Sequence, residues 1–247
     1  MSVLLLRLTA PLQAWGTHSH FSRRDTGPRP TKSAVLGMLA AAEGRRRTDP
    51  IEDLLDLRFG VRVDQPGEVL RDFHTVSRLD GKLPTASGSH KKGNLVTHRS
   101  YLTDALFLVG LEGTQDRLEM IEDALRHPRF HLYLGRRSCP PAMPMVLGVV
   151  PGYLEEALAD HTWLAAAHWR RRHREDPVLL DVFVDATSGD SAAILETAQD
   201  VPLNFDPKQR SHGWRQVKRF TVPVANPDDR SGGQRTGGGH DPFELVP

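Results

Sequence analysis

The sequence predicts an α+β fold, and three observations support this class. Apolar runs of strand length alternate with amphipathic stretches of helix length. Over residues 1–135 their order is β-α-β-β-α-β, which is the ferredoxin-like order. In this order the two neighbouring strands at 59–63 and 69–76, which form a local hairpin, count as one. The chain has 247 residues and no run of about 18 apolar ones, so we predict no membrane span. This length fits one large or two small domains.

The predicted core strands are apolar or alternating runs bounded by turn residues. They lie at residues 3–8, 59–63, 69–76, 105–111 and 131–134. The two main helices begin after Thr31 and Thr114, which are typical N-cap residues, and end near Gly44 and Pro128. The same order of elements occurs in RNA-recognition modules.

Residues 77–97, between the predicted strands at 69–76 and 105–111, contain almost no apolar side chains. A loop of this length inside a compact domain is usually functional or disordered. We therefore expect a projecting β-hairpin, over about residues 77–100, with a mobile tip.

The periodic signals weaken after residue 145. A helix is predicted at 153–167, and strands are predicted at 178–184 and 214–224. The chain is accordingly divided into a ferredoxin-like (RNA-recognition-type) domain with its hairpin at 1–145, a smaller β-rich lobe at 146–225, and a Gly-rich, disordered tail at 226–247.

The net charge is only +1, but the positive charges are concentrated in two regions. Residues 1–50 carry a net charge of +5 and residues 71–101 carry +4. Such basic faces can bind a polyanion while the rest of the surface docks other proteins. The single Cys139 excludes an internal disulfide and fits a reducing, cytoplasmic compartment.

The sequence predicts no metal ion and no cofactor. One cysteine cannot build a Cys-rich zinc site, and His168 and His173 are five residues apart, which does not place them on one helical face. Gly-rich phosphate-binding loops of the Walker type and GxSxG elbows are also absent from the sequence.

The most informative loop follows the predicted strand at 131–134. Gly135 permits a turn or a close approach, and Pro140 and Pro141 stiffen the exit. The loop therefore presents Arg136 and Arg137 on a constrained backbone, and their guanidinium groups suit phosphate oxygens and the faces of splayed bases. A solvated basic loop that closes a strand edge is the open alternative.

A second basic loop precedes the first helix. It carries Arg23, Arg29 and Lys32 close to a helix N-terminus, where free N–H groups favour a phosphate. Trp15, just upstream, either stacks on a base or closes the core.

Metal-free RNA cleavage is the catalytic alternative. It needs a base for a 2′-hydroxyl and an acid for the leaving oxygen, which His74, His98 or Tyr101 could supply, with Lys91 and Lys92 nearby. In the other interpretation, His74 and Tyr101 pack under the hairpin while the two lysines contact phosphate.

Several segments together resemble a known family, the CasD subunits of the type I-E CRISPR Cascade complex. They are LRLTAPLQAWG, PTKSAVLGMLAAAEG, LRDFHTV, HRSYLTDALFLVGL and YLGRRSCPPAMP, in the family's order, followed by VPLNFDPKQRSHGWRQVKRFTV. The most specific of them is YLGRRSCPP, preceded by RDFHTV and HRSYLTDA.

The resemblance implies a repeat-associated RNA-binding fold with a long hairpin thumb. It implies a non-catalytic subunit that grips the 5′ handle of the CRISPR RNA (crRNA) for antiviral defence. Its partners would be the backbone subunit CasC and the large subunit CasA, with target DNA reached indirectly. A metal-independent endoribonuclease that processes repeat RNA is the alternative function.

The resemblance also assigns positions to candidate residues. Arg99 and Tyr101 fall at the base of the thumb, Ser138 joins the two arginines on the handle-facing loop, and Thr31, Lys32 and Ser33 form the helix-start motif. The candidate RNA-binding residues are thus Gln13, Trp15, Arg23, Arg29, Thr31, Lys32, Ser33, His74, Lys91, Lys92, His98, Arg99, Tyr101, Arg136, Arg137 and Ser138.

Overall fold

The computed structural model describes residues 1–16, 23–77, 82–84, 88–173, 175–190, 194–206 and 208–228. Its strands are Ser2–Thr9 (β1), Leu12–Gln13 (β2), Arg23–Arg24 (β3), Arg58–Gln65 (β4), Glu68–Val76 (β5), Lys82–Pro84 (β6), His90–Lys92 (β7), Leu95–Thr103 (β8), Leu106–Gly113 (β9), Val146–Pro151 (β10), Val178–Asp185 (β11), Ile194–Asn204 (β12) and Ser211–Val224 (β13). Its helices are Lys32–Ala42 (α1), Glu52–Leu55 (α2), Gln115–Arg126 (α3), Leu154–Asp160 (α4) and Ala167–Arg170 (α5). None of these helices is long and apolar enough to cross a membrane.

One antiparallel sheet of seven strands, in the order β10-β1-β9-β4-β11-β13-β12, carries most of the fold. The inner strands β1 and β9 are mostly apolar because both faces of the sheet are covered, whereas the middle strand β4 buries charged side chains as well. Leu4 and Leu6 of β1 pack in a core that includes α1 and α3, whereas Val3 and Leu5 pack in a second core that includes α4. The predicted α+β class is confirmed.

The predicted strand at residues 131–134 is wrong. This segment is irregular, because Leu134 uses its N–H for the carbonyl of Cys139 and its carbonyl for the N–H of Ala14. The outer partner of β1 is instead β10, which pairs Val3 with Val150 and lies beyond the predicted boundary at residue 145. A run of four residues is shorter than a typical strand, and its last residue uses its backbone N–H in the turn that follows.

The β5 strand leaves the main sheet after Gly67 and pairs with β8 along nine residues of each strand. Gly67 has φ of +70°, and a Cβ there would lie 2.4 Å from the carbonyl oxygen of Thr103. The paired strands thus begin before residue 77, where the hairpin was expected to start, and β6 and β7 pair beyond them. Residues 78–81 and 85–87 of the expected tip lie outside the described part of the chain.

The C-terminal strands extend the same sheet, because β11 pairs with β4. The helix expected at 153–167 is two helices, α4 and α5, separated by an irregular segment. The fully buried guanidinium of Arg62 holds this segment by donating to the carbonyls of His161 and Thr162, and it is neutralised by Asp64. Burying an arginine in this way is tolerated because its charge and its donors are all satisfied.

The described chain ends in an anchored segment. Asn226, at the start of the predicted tail, is buried and donates to the carbonyls of Arg170 and His173. Asp228 forms an ion pair with Arg170 at 2.8 Å. The rest of the predicted tail, residues 229–247, lies outside the described residues.

Candidate nucleic-acid interface

An open depression of about 460 Å³ lies at the foot of the β5–β8 hairpin. Among the described residues, five arginines and no acidic side chain line it. The lining residues are Arg24, Arg47, Arg99, Tyr133, Gly135, Arg136, Arg137 and Ser138. They come from β3, β8, the segment after α1 and the 133–138 loop, so residues far apart in sequence build one basic surface.

The 133–138 loop owes its position to Gly135. This glycine has φ of +85°, and a Cβ there would fall 1.6 Å from the carbonyl oxygen of Ala14. The loop backbone therefore lies directly against the segment after β2, where Ala14 donates its N–H to Leu134 at 3.1 Å. The N–H of Cys139 closes the turn on the carbonyl of Arg136.

Arg136 lines a wall of the depression but is not free to bind a ligand, because its guanidinium contacts other parts of the protein. It donates to the carbonyl of Ser100 at 3.0 Å and to that of Arg24 at 2.8 Å, and it lies 4.6 Å from the ring centre of Tyr101. These contacts join β3 to β8 and hold Arg24 beside Arg99. The expectation that Arg136 is presented like Arg137 is therefore corrected.

Tyr101 supports the same wall from beneath and is only 3% exposed. Burial alone would raise the pKa of its hydroxyl. Hydrogen bonds with Ser138, Arg136 and Arg99, together with the positive charge of Arg136, outweigh burial and lower that pKa. The Tyr101 hydroxyl thus ties Ser138 to the base of the hairpin and has no exposed face for a ligand.

Arg47 and Arg137 are the arginines available to a ligand. Both are exposed, and neither forms a hydrogen bond or an ion pair with any other residue that the structure describes. Arg99 adds a buried Nε without a hydrogen-bond partner in the described part of the chain. Guanidinium groups free of internal partners suit phosphate oxygens.

Sequence reasoning missed Arg47 as a site residue. The three consecutive arginines 45–47 after Gly44 indicate a basic segment, but the sequence does not reveal which of them faces the depression. Arg45 is used internally by Glu43 and Asp53, whereas Arg47 points to the ligand surface.

Besides Tyr101, five residues that the sequence assigned to RNA are buried, and all six assignments are corrected. The five are Gln13, Trp15, Thr31, Lys32 and Ser33. Gln13 donates to the carbonyl of Ala105 and accepts from the Trp15 indole, so both side chains belong to the core. Trp15 is 1% exposed and offers no ring surface for stacking.

The expected phosphate site at the start of α1 is occupied by the protein's own carboxylate. Asp200 accepts the backbone N–H of Lys32 at 2.8 Å, and the Lys32 ammonium pairs with Asp185. Thr31 caps the helix by accepting from Ala34. These residues therefore dock α1 onto the C-terminal strands.

The remaining candidates surround the hairpin or lie apart from it. Arg29 pairs with Glu196 at 2.8 Å and lies 3.7 Å from the ring centre of Phe183, so it belongs to the C-terminal strands. Arg23 is exposed and pairs with Asp25. Lys91 and Lys92 lie in β7, and their side chains are outside the described structure.

The three candidate acid–base residues do not converge. His98 lies on the opposite face of the hairpin from Tyr101 and His74, as the alternation along β8 and its pairing with β5 require. His74 lies about 13 Å along the hairpin from the level of Tyr101, given roughly 3.3 Å per residue. Its Nε2 is 2.6 Å from Asp72 Oδ2. In the described residues, no group of three or more His, Cys, Asp or Glu side chains could hold a metal ion.

The fold and the depression define a class, an α+β protein whose arginine-lined surface is suited to a polyanion. The chain matches the model of the family described as CRISPR-associated protein (Cas_Cas5) over residues 3–218, and it belongs to that family. This result confirms the family resemblance that the sequence motifs indicated.

Individual relatives agree with this family. The chain is 38% identical over 233 residues to the CRISPR system Cascade subunit CasD of Escherichia coli (strain K12), covering 88% of this chain and 96% of that protein. A chain of a CRISPR RNA-guided surveillance complex matches with a TM-score of 0.76 at 36% identity, over 90% of this chain and 91% of that one. A Cas protein known from a crystal structure matches with a TM-score of 0.67 at 36% identity, over 91% and 98%.

Proposed function

We propose that this chain is a non-catalytic crRNA-binding subunit of a type I-E Cascade surveillance complex and that it grips the 5′ handle of the crRNA. The observation that carries the proposal is the convergence of Arg24, Arg47, Arg99 and Arg137 on one depression, whose described lining contains no acidic side chain. Membership of the CRISPR-associated family, and the similarity to CasD of Escherichia coli and to a chain of a CRISPR RNA-guided surveillance complex, support RNA as the polyanion.

The depression can hold an unpaired strand by two kinds of contact. Arg47 and Arg137 are free to bind phosphate oxygens, and each such contact on a single strand lowers log K by about 0.7 per tenfold rise in salt. Tyr133, half-buried on the same wall, offers a ring edge or face to a base. Arg136 and Tyr101 would act indirectly, by holding the wall in place.

We further propose that the core is ferredoxin-like and that the β5–β8 hairpin serves as a thumb. The order β10-β1-β9-β4, with α1 and α3 as the two crossover helices, supports the first point. The other surfaces would dock the backbone subunit CasC and the large subunit CasA in the cytoplasm, so that target DNA is met through the assembled complex.

Co-expression with the neighbouring genes tests the RNA-binding role. The complex purified with the parent chain should contain crRNA that begins with an intact handle. A double variant, Arg47→Ala with Arg137→Ala, should assemble with less of it. Equal crRNA content in the parent and the variant complexes would contradict the assignment of the depression.

Incubation of the purified chain with repeat RNA in EDTA tests the non-catalytic role. We expect the RNA to remain intact. A single cut that leaves a 2′,3′-cyclic phosphate, and that disappears on changing His74, His98 or Tyr101, would identify an endoribonuclease instead.

A further inference from the structure

A second sheet consists of four strands, β2, β3, β5 and β8, and a row of three side chains from β5, β8 and β3 crosses it on the face opposite the arginine-lined depression. Phe73 pairs with His98, and His98 pairs with Arg23, so their side chains lie on one face. Their chain neighbours Arg24 and Arg99 line the depression. Because side chains alternate along strands, Phe73, His98 and Arg23 point the other way. We call this surface the outer face of the hairpin.

The outer face presents a large aromatic ring to solvent. Phe73 is 60% exposed, and its ring centre lies 5.7 Å from that of His98 in an edge-to-face arrangement. Exposed phenylalanine on a sheet face costs hydration free energy unless a ligand covers it. The inward neighbours on this face, Ser100 and Leu102, are buried, so the exposed surface lies toward the middle and outer part of the hairpin.

Positive charge flanks the ring on both sides. Arg71 lies two residues before Phe73 on the same face, is exposed, and has no hydrogen bond or ion pair with other described residues. Arg23, across the sheet, has a side chain that is 68% exposed, and its partner Asp25 is half exposed, so water screens that pair. Among the described residues of this sheet, Asp25 is an acidic group that faces the row, through its contacts with Arg23 and Ser100.

We propose that the outer face is a second binding surface, which stacks unpaired bases of a single-stranded nucleic acid on Phe73 while Arg71 and Arg23 contact its phosphates. The inference rests on the proposed function, because it supposes that the chain handles single-stranded RNA at the depression. A flat strand surface with an exposed ring and flanking cations is the arrangement that sheet-based modules use to bind unpaired strands.

A protein partner fits this face less well. Val69 and Val96 add apolar surface at its two ends, but the centre combines a ring with arginines that have little internal neutralisation. Arginine and aromatic side chains do occur at protein interfaces, but a protein partner would have to bring an acidic group to each arginine, whereas a nucleic-acid strand carries a phosphate at every nucleotide. A strand with stacked bases and regularly spaced phosphates satisfies the ring and the arginines together.

Binding of a fluorescein-labelled oligouridylate to the full chain, followed by fluorescence anisotropy across a range of salt, tests the proposal. Phe73→Ala should weaken binding about fivefold or more, the loss expected for one stacked base, with no change in the slope of log K against log salt. Phe73→Trp should retain the affinity because it keeps a ring. Phe130→Ala removes another exposed ring outside the hairpin and serves as the matched control, with parent affinity expected.

The outcomes separate this surface from the depression. If Arg137→Ala weakens binding and Phe73→Ala does not, the outer face is refuted while the proposed function stands. If neither variant weakens binding, both fail. If Phe73→Ala leaves oligouridylate binding intact but prevents assembly with the other subunits, the face is a protein interface and the proposal is overturned. Repeating the titration with oligothymidylate shows whether the bound strand is preferentially RNA or DNA.

Discussion

Two adjacent residues of the same type, Arg136 and Arg137, have different tasks. Arg136 binds backbone carbonyls of Arg24 and Ser100, whereas Arg137 makes no such contact with the described residues. An arginine that joins two strands contributes to stability, and one that faces a depression contributes to ligand affinity. The sequence shows only that both are present.

Arg136→Ala should lower the free energy of unfolding by about 2 kcal/mol, because it leaves two carbonyls without their charged donor and removes the cation–π contact with Tyr101. Arg136→Lys should recover only part of this, since one ammonium cannot reproduce a planar fork. Urea unfolding of both variants checks the prediction, with Arg137→Ala as the control that should unfold like the parent. Equal stability of Arg136→Ala and Arg137→Ala would show that the wall does not depend on Arg136.

Gly135→Ala should destabilise the protein and displace the arginine loop, because the new Cβ would collide with the carbonyl of Ala14. Gly88→Ala is the matched control: Gly88 has nearly the same backbone angle, φ +79°, but no atom of the described structure lies within 4 Å of its Cβ position. The control should therefore show only the cost of about 1 kcal/mol for a left-handed residue. Thermal melting compares the two, and equal losses would mean that the contact with Ala14 is unimportant.

At the residue scale, the sequence does not reveal the role of a side chain whose bonding partner lies far away along the chain. The loop with Gly135 and its two arginines could be identified locally. The burial of Lys32 could not, since the carboxylates that receive it, Asp185 and Asp200, lie more than 150 residues away in sequence. Trp15 was ambiguous for the same reason, because the carbonyl that orders its neighbour Gln13 belongs to Ala105.

At the scale of elements, helix α1 connects the N-terminal half of the chain to the C-terminal strands. The backbone N–H of Lys32, its first residue, donates to Asp200, and the same carboxylate binds the Arg215 guanidinium in a bidentate pair. Burial alone would raise the pKa of Asp200, but the hydrogen bonds and charge of Arg215 and the N–H of Lys32 outweigh it and lower that pKa.

Asp200→Asn should destabilise the protein at neutral pH by about 1–3 kcal/mol, because it leaves a buried arginine less well compensated. Since the folded-state pKa is below the unfolded value of about 4, the contribution of Asp200 is present above that value and is lost as pH falls below it. The difference between parent and variant should therefore shrink on acidification. Urea unfolding at neutral and acidic pH measures it.

Asp181→Asn in β11 is the control for this experiment. Asp181 pairs with Arg219 at 3.3 Å on the surface, where an ion pair contributes at most about 1 kcal/mol. If Asp200→Asn costs no more than this control, the carboxylate is not the anchor of α1.

The elements that sequence patterns located were those with uninterrupted burial. β1 and β9 read as apolar runs, and α3 shows a regular apolar face. β12 was missed because it carries a buried charge, Asp200, and an irregular register against β13. β10 was missed because the shorter run at 131–134 had already completed the expected order of elements.

At the scale of the whole molecule, the main sheet does not divide at residue 145. β10 covers the outer edge of β1, and β11 continues the sheet from β4. The C-terminal residues therefore complete the hydrogen bonding of strands that belong to the N-terminal half. A buried strand whose edge groups lose their partners is costly.

A fragment of residues 1–145 should consequently fail to melt cooperatively, whereas a fragment of residues 1–228, which retains every strand described above, should melt in one transition. Circular dichroism and tryptophan fluorescence should report the same midpoint for the longer fragment. A cooperative melt of the shorter fragment would show that the N-terminal half is an independent domain.

The central claim is that free arginines in one depression hold an unpaired RNA strand by its phosphates. The most direct test is the salt dependence of handle-RNA binding by the parent and by the Arg47→Ala, Arg137→Ala double variant, with the exposed pair Arg172→Ala, Lys208→Ala as a control of equal charge change. We predict that the negative slope of log K against log salt becomes shallower by about 1.4 in the first variant, because two contacts at about 0.7 each are lost. The slope of the control should equal that of the parent. Parallel slopes for all three proteins would contradict the account.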